Sequence, residues 1–432
     1  MKPGVVRGIS YGVWGPPDEF VPRARALGAG LIRVYVYWGQ IEPAPGQYDW
    51  TVVDALLKQL DTEEVWVTVC ASSTWATRQP TEFNPPSPPK DPRQYAAFVR
   101  ALVEHTGKRV TYWQCENEPS NTDLLWAGTA AEYADHLRTM HDAVKAADPD
   151  ATVVLGGCGY DVLSSDKDSE PRKFFDHVLE TSRDCFDLFS VHLYSDPVPE
   201  HLADVRAMMR RHGYEKPLVA GEIGGPVPFE FAGNERYLQE TMMAAFTTGE
   251  RDAMEKLYAR TDLPDELRMF LVGCPRELED KRHRIACRQL VTRTLLALAG
   301  GVERTVYWHL APEVPGEIDH LQLMGLMFGK LNLLAYDGRA LTRRNPAADT
   351  FALLAWHLKN VTVVTPIDDH AVRLDLDAIV VWGPDTEPTP ADLPWRAETA
   401  QARDIFGTPV PVAVVAGRVH VNRSETPVFI TA

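Results

Sequence analysis

Carboxylates are the residues through which this chain could do chemistry. Tyr112 to Asn121 read YWQCENEPSN, so Glu116 and Glu118 flank Asn117 just ahead of Pro119. A third carboxylate, Glu222, stands among small residues in VAGEIGGP. Carboxylates crowded together repel and are costly to bury unless paired, so one of them is expected to have a task. Two carboxyl groups on either side of a bond can share the work of breaking it. One protonates the leaving oxygen, and the other attacks or activates water. Other chemistries have less support. There is no GxSxG or phosphate-binding loop, and none of the thirteen histidines falls in an HxH or HExxH spacing. No metal or other cofactor is expected.

The elements that must position these groups follow from periodicity. Eight short apolar runs are expected strands: VVRGISY near the start, LIRVYVYW from Leu31, EVWVTVCA from Glu64, VTYWQC from Val110, ATVVLGG from Ala151, FDLFSVHLY from Phe186, KPLVAGE from Lys216 and ERTVYWHL from Glu303. Amphipathic segments separate them. Residues 131–148 set Tyr133, Leu137, Met140 and Val144 on one helical stripe. DPRQYAAFVRALVEHTG opens with a capping Asp and a Pro at the first helical position. EHLADVRAMMRRHGY stops at Gly213, and RHRIACRQLVTRTLLALAGG at Gly300 and Gly301. Eight strands alternating with helices predict an α/β fold, a (β/α)8 TIM barrel; a doubly wound open sheet is the competitor. GGCGYD at 156–161 is glycine-rich after a strand but lacks the GxGxxG spacing of a dinucleotide site. In a barrel the catalytic groups sit at the C-terminal ends of strands. Glu118 follows the fourth run and Glu222 ends the seventh, which places them across the mouth from each other. That arrangement suits glycosidic bond cleavage, with carboxyls about 5–5.5 Å apart for retention and about 6.5–9.5 Å for inversion.

Several motifs resemble the clan A glycoside hydrolases. WQCENEP is similar to their W-x-x-x-N-E-P motif after strand four, and LVAGEIG to their strand-seven nucleophile motif. DLFSVHLY resembles their D-x-x-S-x-H-x-Y on strand six, and IRVYVYWGQIEPAPGQYDW their second strand with its Arg and following loop. The likeness covers about residues 8–360 and is closest in flavour to family 39, with its β-xylosidase-like members. It implies a retaining hydrolase in which Glu118 is the acid/base, Glu222 the nucleophile and Asn117 the partner of the sugar 2-hydroxyl. Glu116 matches no catalytic position. The chain departs from the pattern after strand three, where CASSTWATRQP carries Ser or Thr in place of a histidine found in some members.

Supporting residues have two readings each. Arg33, in an apolar strand, either orients Glu222 or forms a structural ion pair inside the barrel. His192 and Tyr194 share one strand face in the company of Asp187 and Ser190; Tyr194 would donate to Glu222 and His192 line the sugar subsite, or both are a satisfied core pair. Trp308 ends the eighth strand as a sugar platform or as core; His309 beside it is expected to pack or hydrogen-bond. Trp75, Trp38 and Trp14 are weaker candidates, at the rim or in the core.

Composition bounds the rest. The 432 residues are 45% hydrophobic and 24% charged, and 44 basic against 60 acidic residues leave a net charge of −16. This balance argues against nucleic acid and anionic membranes as partners. No run approaches the roughly 18 apolar residues of a membrane span. Absence of a signal-like apolar stretch and six scattered cysteines predict a cytoplasmic protein with reduced thiols. The barrel is expected over 1–360, interrupted at about 227–280 by a helical insertion that serves as a lid or cleft wall, or as decoration or a homo-oligomer contact. Short alternating runs over 361–432 predict a small β-sandwich-like domain packed on the barrel. The expected partner is a neutral carbohydrate substrate. Alternatives are a transglycosylase with the same residues, a non-catalytic carbohydrate-binding barrel, or a metal-dependent isomerase or lyase.

Overall fold

The computed structural model of the chain describes residues 1–122, 124–313, 321–375, 378–384 and 387–432. It divides into two compact units, Lys2–Ile223 with Gly300–Val314, and Gly224–Ala299 with Pro315–Ala432 and Met1.

All eight expected strands form. They are β1 (Gly4–Val6), β2 (Leu31–Tyr37), β3 (Glu64–Cys70), β4 (Tyr112–Cys115), β5 (Thr152–Cys158), β6 (Leu188–Leu193), β7 (Leu218–Ile223) and β8 (Thr305–Tyr307). Each pairs in parallel with its neighbour in sequence, and β8 pairs with β1 to close the barrel. Their residues are buried almost throughout, because barrel strands are covered on both faces; this is why the runs read as continuous rather than alternating. In the same unit lie helices α1 (Val21–Ala26), α2 (Trp38–Ile41), α3 (Thr51–Gln59), α4 (Pro92–Thr106), α5 (Ala130–Ala147), α6 (Tyr160–Leu163), α7 (Glu170–Thr181) and α8 (Val198–Arg211). The Asp91 carboxylate accepts from the Arg93 N–H at the start of α4. A capping box between Thr129 and Glu132 opens α5, which buries Tyr133, Leu137, Met140 and Val144 along the expected stripe.

The second unit contains the insertion as three helices, α9 (Glu235–Thr248), α10 (Glu250–Tyr258) and α11 (Asp265–Arg268). Tyr237, Met254, Leu257, Leu267 and Phe270 give it an apolar core of its own, shared with Leu321 and Leu326. The long helix α12 (Arg276–Ala299), α13 (Leu323–Phe328), a hairpin of β9 (Leu334–Asp337) and β10 (Ala340–Arg344), and α14 (Pro346–Leu358) follow. The last eight strands are β11 (Val364–Asp368), β12 (Ala371–Leu374), β13 (Ala378–Val381), β14 (Thr389–Pro394), β15 (Gln401–Asp404), β16 (Val412–Val415), β17 (Arg418–Arg423) and β18 (Val428–Thr431). They make a five-stranded sheet, β11-β12-β13-β18-β15, and a three-stranded sheet, β14-β17-β16. Ile379, Val381, Leu393, Trp395, Val419 and Ile430 from both sheets meet in one cluster, the sandwich-like core the alternating runs imply. Among the described residues no helix is long and apolar enough to cross a membrane. All six cysteines are free thiols, five of them buried.

Candidate active site

β4 ends one residue before the first glutamate. Glu116 and Glu118 both take left-handed backbone angles, with φ of 56° and 42°, a conformation that costs an L-residue roughly 1–2 kcal/mol. The chain therefore turns at Glu116, earlier than the proline, and strand alternation no longer decides which way either side chain points. Glu116 goes into the core. It is fully buried, accepts from the Ala71 N–H at 2.8 Å and lies 2.9 Å from His136 Nε2 on α5. Burial raises its carboxyl above the usual 4.5, with His136 and the Ala71 amide pulling the other way. This glutamate ties the end of β4 to the Ala71 amide and to α5.

Glu118 turns the opposite way and meets β6. His192 Nδ1 lies 2.7 Å from Glu118 Oε1 and 3.4 Å from Glu222 Oε2. The imidazole thus stands between the two carboxyls, and one oxygen from each glutamate falls within 4.8 Å of the other. The Glu118 side chain is 18% exposed and that of Glu222 only 5%, so one group meets incoming molecules and the other is held from behind. His192 is itself fully buried. Its ring nitrogen touches both carboxyls. Room for its ring comes from Gly157 on β5, where any Cβ would collide with the imidazole.

Glu222 is gripped by a guanidinium and two phenols. Arg33 Nη1 donates to Oε1 at 3.0 Å, the Tyr35 hydroxyl to the same oxygen at 2.9 Å, and the Tyr194 hydroxyl to Oε2 at 2.6 Å. Burial, with the neighbouring Glu222 charge, pushes both phenols well above their ordinary titration range, so they remain donors. Arg33, fully buried, also donates to the Gly221 carbonyl, the Thr68 and Tyr35 hydroxyls and Asn117 Oδ1. Its guanidinium lies over the Tyr35 and Trp66 rings, 4.9 and 5.3 Å from their centroids. The two readings of Arg33 therefore coincide: the ion pair inside the barrel is the one that orients Glu222.

The tryptophans separate. Trp308 follows β8 at 6% exposure, its backbone N–H donating to the carbonyl of Ile223, the residue after Glu222. Its peptide bond to His309 is cis, and the two rings pack 5.1 Å apart. Trp75 is half-buried and donates to the Glu42 carbonyl. Trp38 is core: β2 ends at Tyr37, the chain enters α2, and the indole packs on Tyr95 and Phe98 while donating to the Glu42 carboxylate. Trp14 is 56% exposed. Asp187 lies at the opposite end of its strand, bound to Lys145 and the Val153 N–H.

Two residues near the carboxyls escape sequence reasoning. Tyr35 is two positions from Arg33 on the same strand face, a signal that alternation supplies. Asp161 opens α6 and accepts from the Ser120 hydroxyl at 2.8 Å; nothing local marks it. Glu118, His192 and Glu222 are also the one grouping among the described residues close enough to be tested as metal ligands. They fit poorly, because the Arg33 cation already occupies Glu222 and would repel a second cation there.

The fold and this carboxyl pair define a class, the (β/α)8 barrels with facing glutamates after strands four and seven. No protein-family model matches the chain, and no curated protein matches it in sequence. Solved structures do. A family 39 glycoside hydrolase from the gut symbiont Bacteroides cellulosilyticus WH2 aligns with a TM-score of 0.64 at 17% identity, over 100% of this chain and 81% of that one. A glucosidase from Croceicoccus marinus gives 0.60 at 14% identity, over 100% and 96%. The catalytic domain of a family 30 xylanase C from Talaromyces cellulolyticus gives 0.58 at 10%, over 100% and 97%. At these identities the likeness establishes a shared fold.

Proposed function

We propose that the chain is a retaining glycoside hydrolase acting on a neutral glycoside or oligosaccharide, with Glu118 as acid/base and Glu222 as nucleophile. The observation that carries this reading is the short carboxyl separation, one oxygen of each within 4.8 Å, bridged by His192. It accords with direct attack by the second carboxylate and leaves too little space for the intervening water of an inverting site. The fold shared with proteins described as a glycoside hydrolase, a glucosidase and a xylanase points the same way.

In the first step Glu222 attacks the anomeric carbon while Glu118 gives its proton to the departing oxygen. In the second, Glu118 takes a proton from water, which displaces Glu222 from the sugar. Arg33, Tyr35 and Tyr194 hold the nucleophile in its attacking pose, and Arg33 also holds Asn117, to which we assign the sugar 2-hydroxyl. Trp308 supplies the flat surface for the ring, with Trp75 further out.

Release of nitrophenol from a panel of aryl β-xylosides, glucosides, galactosides, mannosides, fucosides and α-arabinosides tests the reading and finds the preferred sugar. Glu222→Ala should abolish release, a loss of about 10⁴-fold or more. Glu118→Ala should be slow on poor leaving groups and regain rate with azide on activated ones. Wild-type rates in Glu222→Ala would refute the assignment. Capture of the sugar by added acceptors would move the chain from hydrolase to transglycosylase.

A further inference from the structure

Glu118 has a second acidic neighbour that the mechanism above does not use. Gly159, between β5 and α6, is bare, and a Cβ there would sit 2.7 Å from Glu118 Cδ and 2.9 Å from Asp161 Oδ1. Both carboxyls therefore close over the same Cα. Asp161 Oδ2 is anchored by the Ser120 hydroxyl, two residues beyond Glu118 on the same loop. Resting on the assignment of Glu118 as acid/base, we propose that Asp161 is a positioning residue for Glu118, setting the direction of its carboxyl and the charge it faces.

The surroundings isolate this pair. Among the described residues of the β4 loop, Asp161 meets Glu118 and the Ser120 hydroxyl, and from β5 the buried Cys158 thiol; Arg172 of α7 and Asp204 of α8, paired with each other, act on that thiol from further off. Glu118 meets His192 on β6 and, beyond it, Glu222 on β7. Burial first, and the Glu118 carboxyl second, raise Asp161 from 3.8 to about 6. Removing the Asp161 carboxylate therefore changes the field at the Glu118 carboxyl, where the leaving oxygen needs a proton.

The test compares wild type, Asp161→Asn, Ser120→Ala and Glu118→Gln on phenyl and 2,4-dinitrophenyl glycosides of the preferred sugar. Glu118→Gln is the control on the assignment: it should lose the phenyl substrate far more than the dinitrophenyl one, and equal losses would sink the acid/base reading itself. With that control met, Asp161→Asn should move the basic limb of the kcat/KM profile down by about one pH unit, and Ser120→Ala should move it the same way by less. A basic limb that stays within about 0.2 unit of wild type overturns the proposal. A second arm needs no substrate. Tm is followed from about pH 4 to 7 for Asp161→Asn, Glu118→Gln and the double variant of the two. Non-additive shifts support the pair, and additive ones overturn it.

Discussion

A single guanidinium holds most of this site together. Arg33 is fully buried and donates to five protein acceptors, so its value lies in what it organises. Replacing it by Met should strand Glu222 with a buried, unbalanced charge, at a cost of about 3–5 kcal/mol in denaturant unfolding. Hydrolysis of the best aryl glycoside should fall at least about 100-fold, because Glu222, the proposed nucleophile, loses its pose. Arg33 was legible because a charge inside LIRVYVYW breaks an apolar run. Tyr35 was not, although it shares Arg33's face, because tyrosine is common in strands and its hydroxyl leaves no trace in the pattern. Asp161 could not be found at all: it comes beside Glu118 only when the loops after β4 and β5 converge over Gly159.

Elements decide where such side chains end up. Strands buried on both faces gave runs whose ends could be read within a few residues, and the capped, amphipathic α4 and α5 followed from their first turns. Trp38 shows what that reading misses. It continues an apolar strand in sequence, but the turn into α2 swings the indole away from the barrel mouth into the packing with Tyr95 and Phe98. The glycines of GGCGYD resemble a nucleotide loop only on paper; Gly157 and Gly159 are small because the His192 ring and the Glu118 and Asp161 carboxyls press on them. α5 has a comparable structural duty. Its Tyr133 hydroxyl donates to the Cys115 carbonyl at 2.8 Å and accepts from the Gly156 N–H at 3.1 Å, joining β4 to β5 where their register opens. Tyr133→Phe should cost about 1–3 kcal/mol in thermal or denaturant unfolding, since two buried backbone groups lose their partner. Activity should also fall, as the loop bearing Glu118 starts at that carbonyl.

For the whole molecule, buried acids tie stability to pH. Glu116 holds its proton more tightly in the folded chain than unfolded, where its value is about 4.5. Its contribution is fully present below that value and is lost as pH rises through the raised folded one. Asp161 has the same sign; a rise from 3.8 to about 6 corresponds to at most about 3 kcal/mol. Glu116→Gln should therefore flatten the fall of Tm measured between about pH 4.5 and 7. A Tm that falls as steeply in the variant as in wild type would show that Glu116 is not the source. The division into two units was the least legible feature at this scale. The insertion and the terminal sheets each announce their elements in sequence, but their grouping depends on contacts between segments far apart in the chain.

Arg33 reaches from β2 to Thr68 on β3, Asn117 after β4 and Gly221 and Glu222 on β7. It is a spoke across the ring as well as a clamp on one carboxylate. Heat that parts β7 from β2 must pull the guanidinium off Glu222 in the same motion. On the proposed assignment, loss of activity on heating and melting of the barrel are expected to coincide, and a rate assay and an unfolding curve taken over the same temperatures check this.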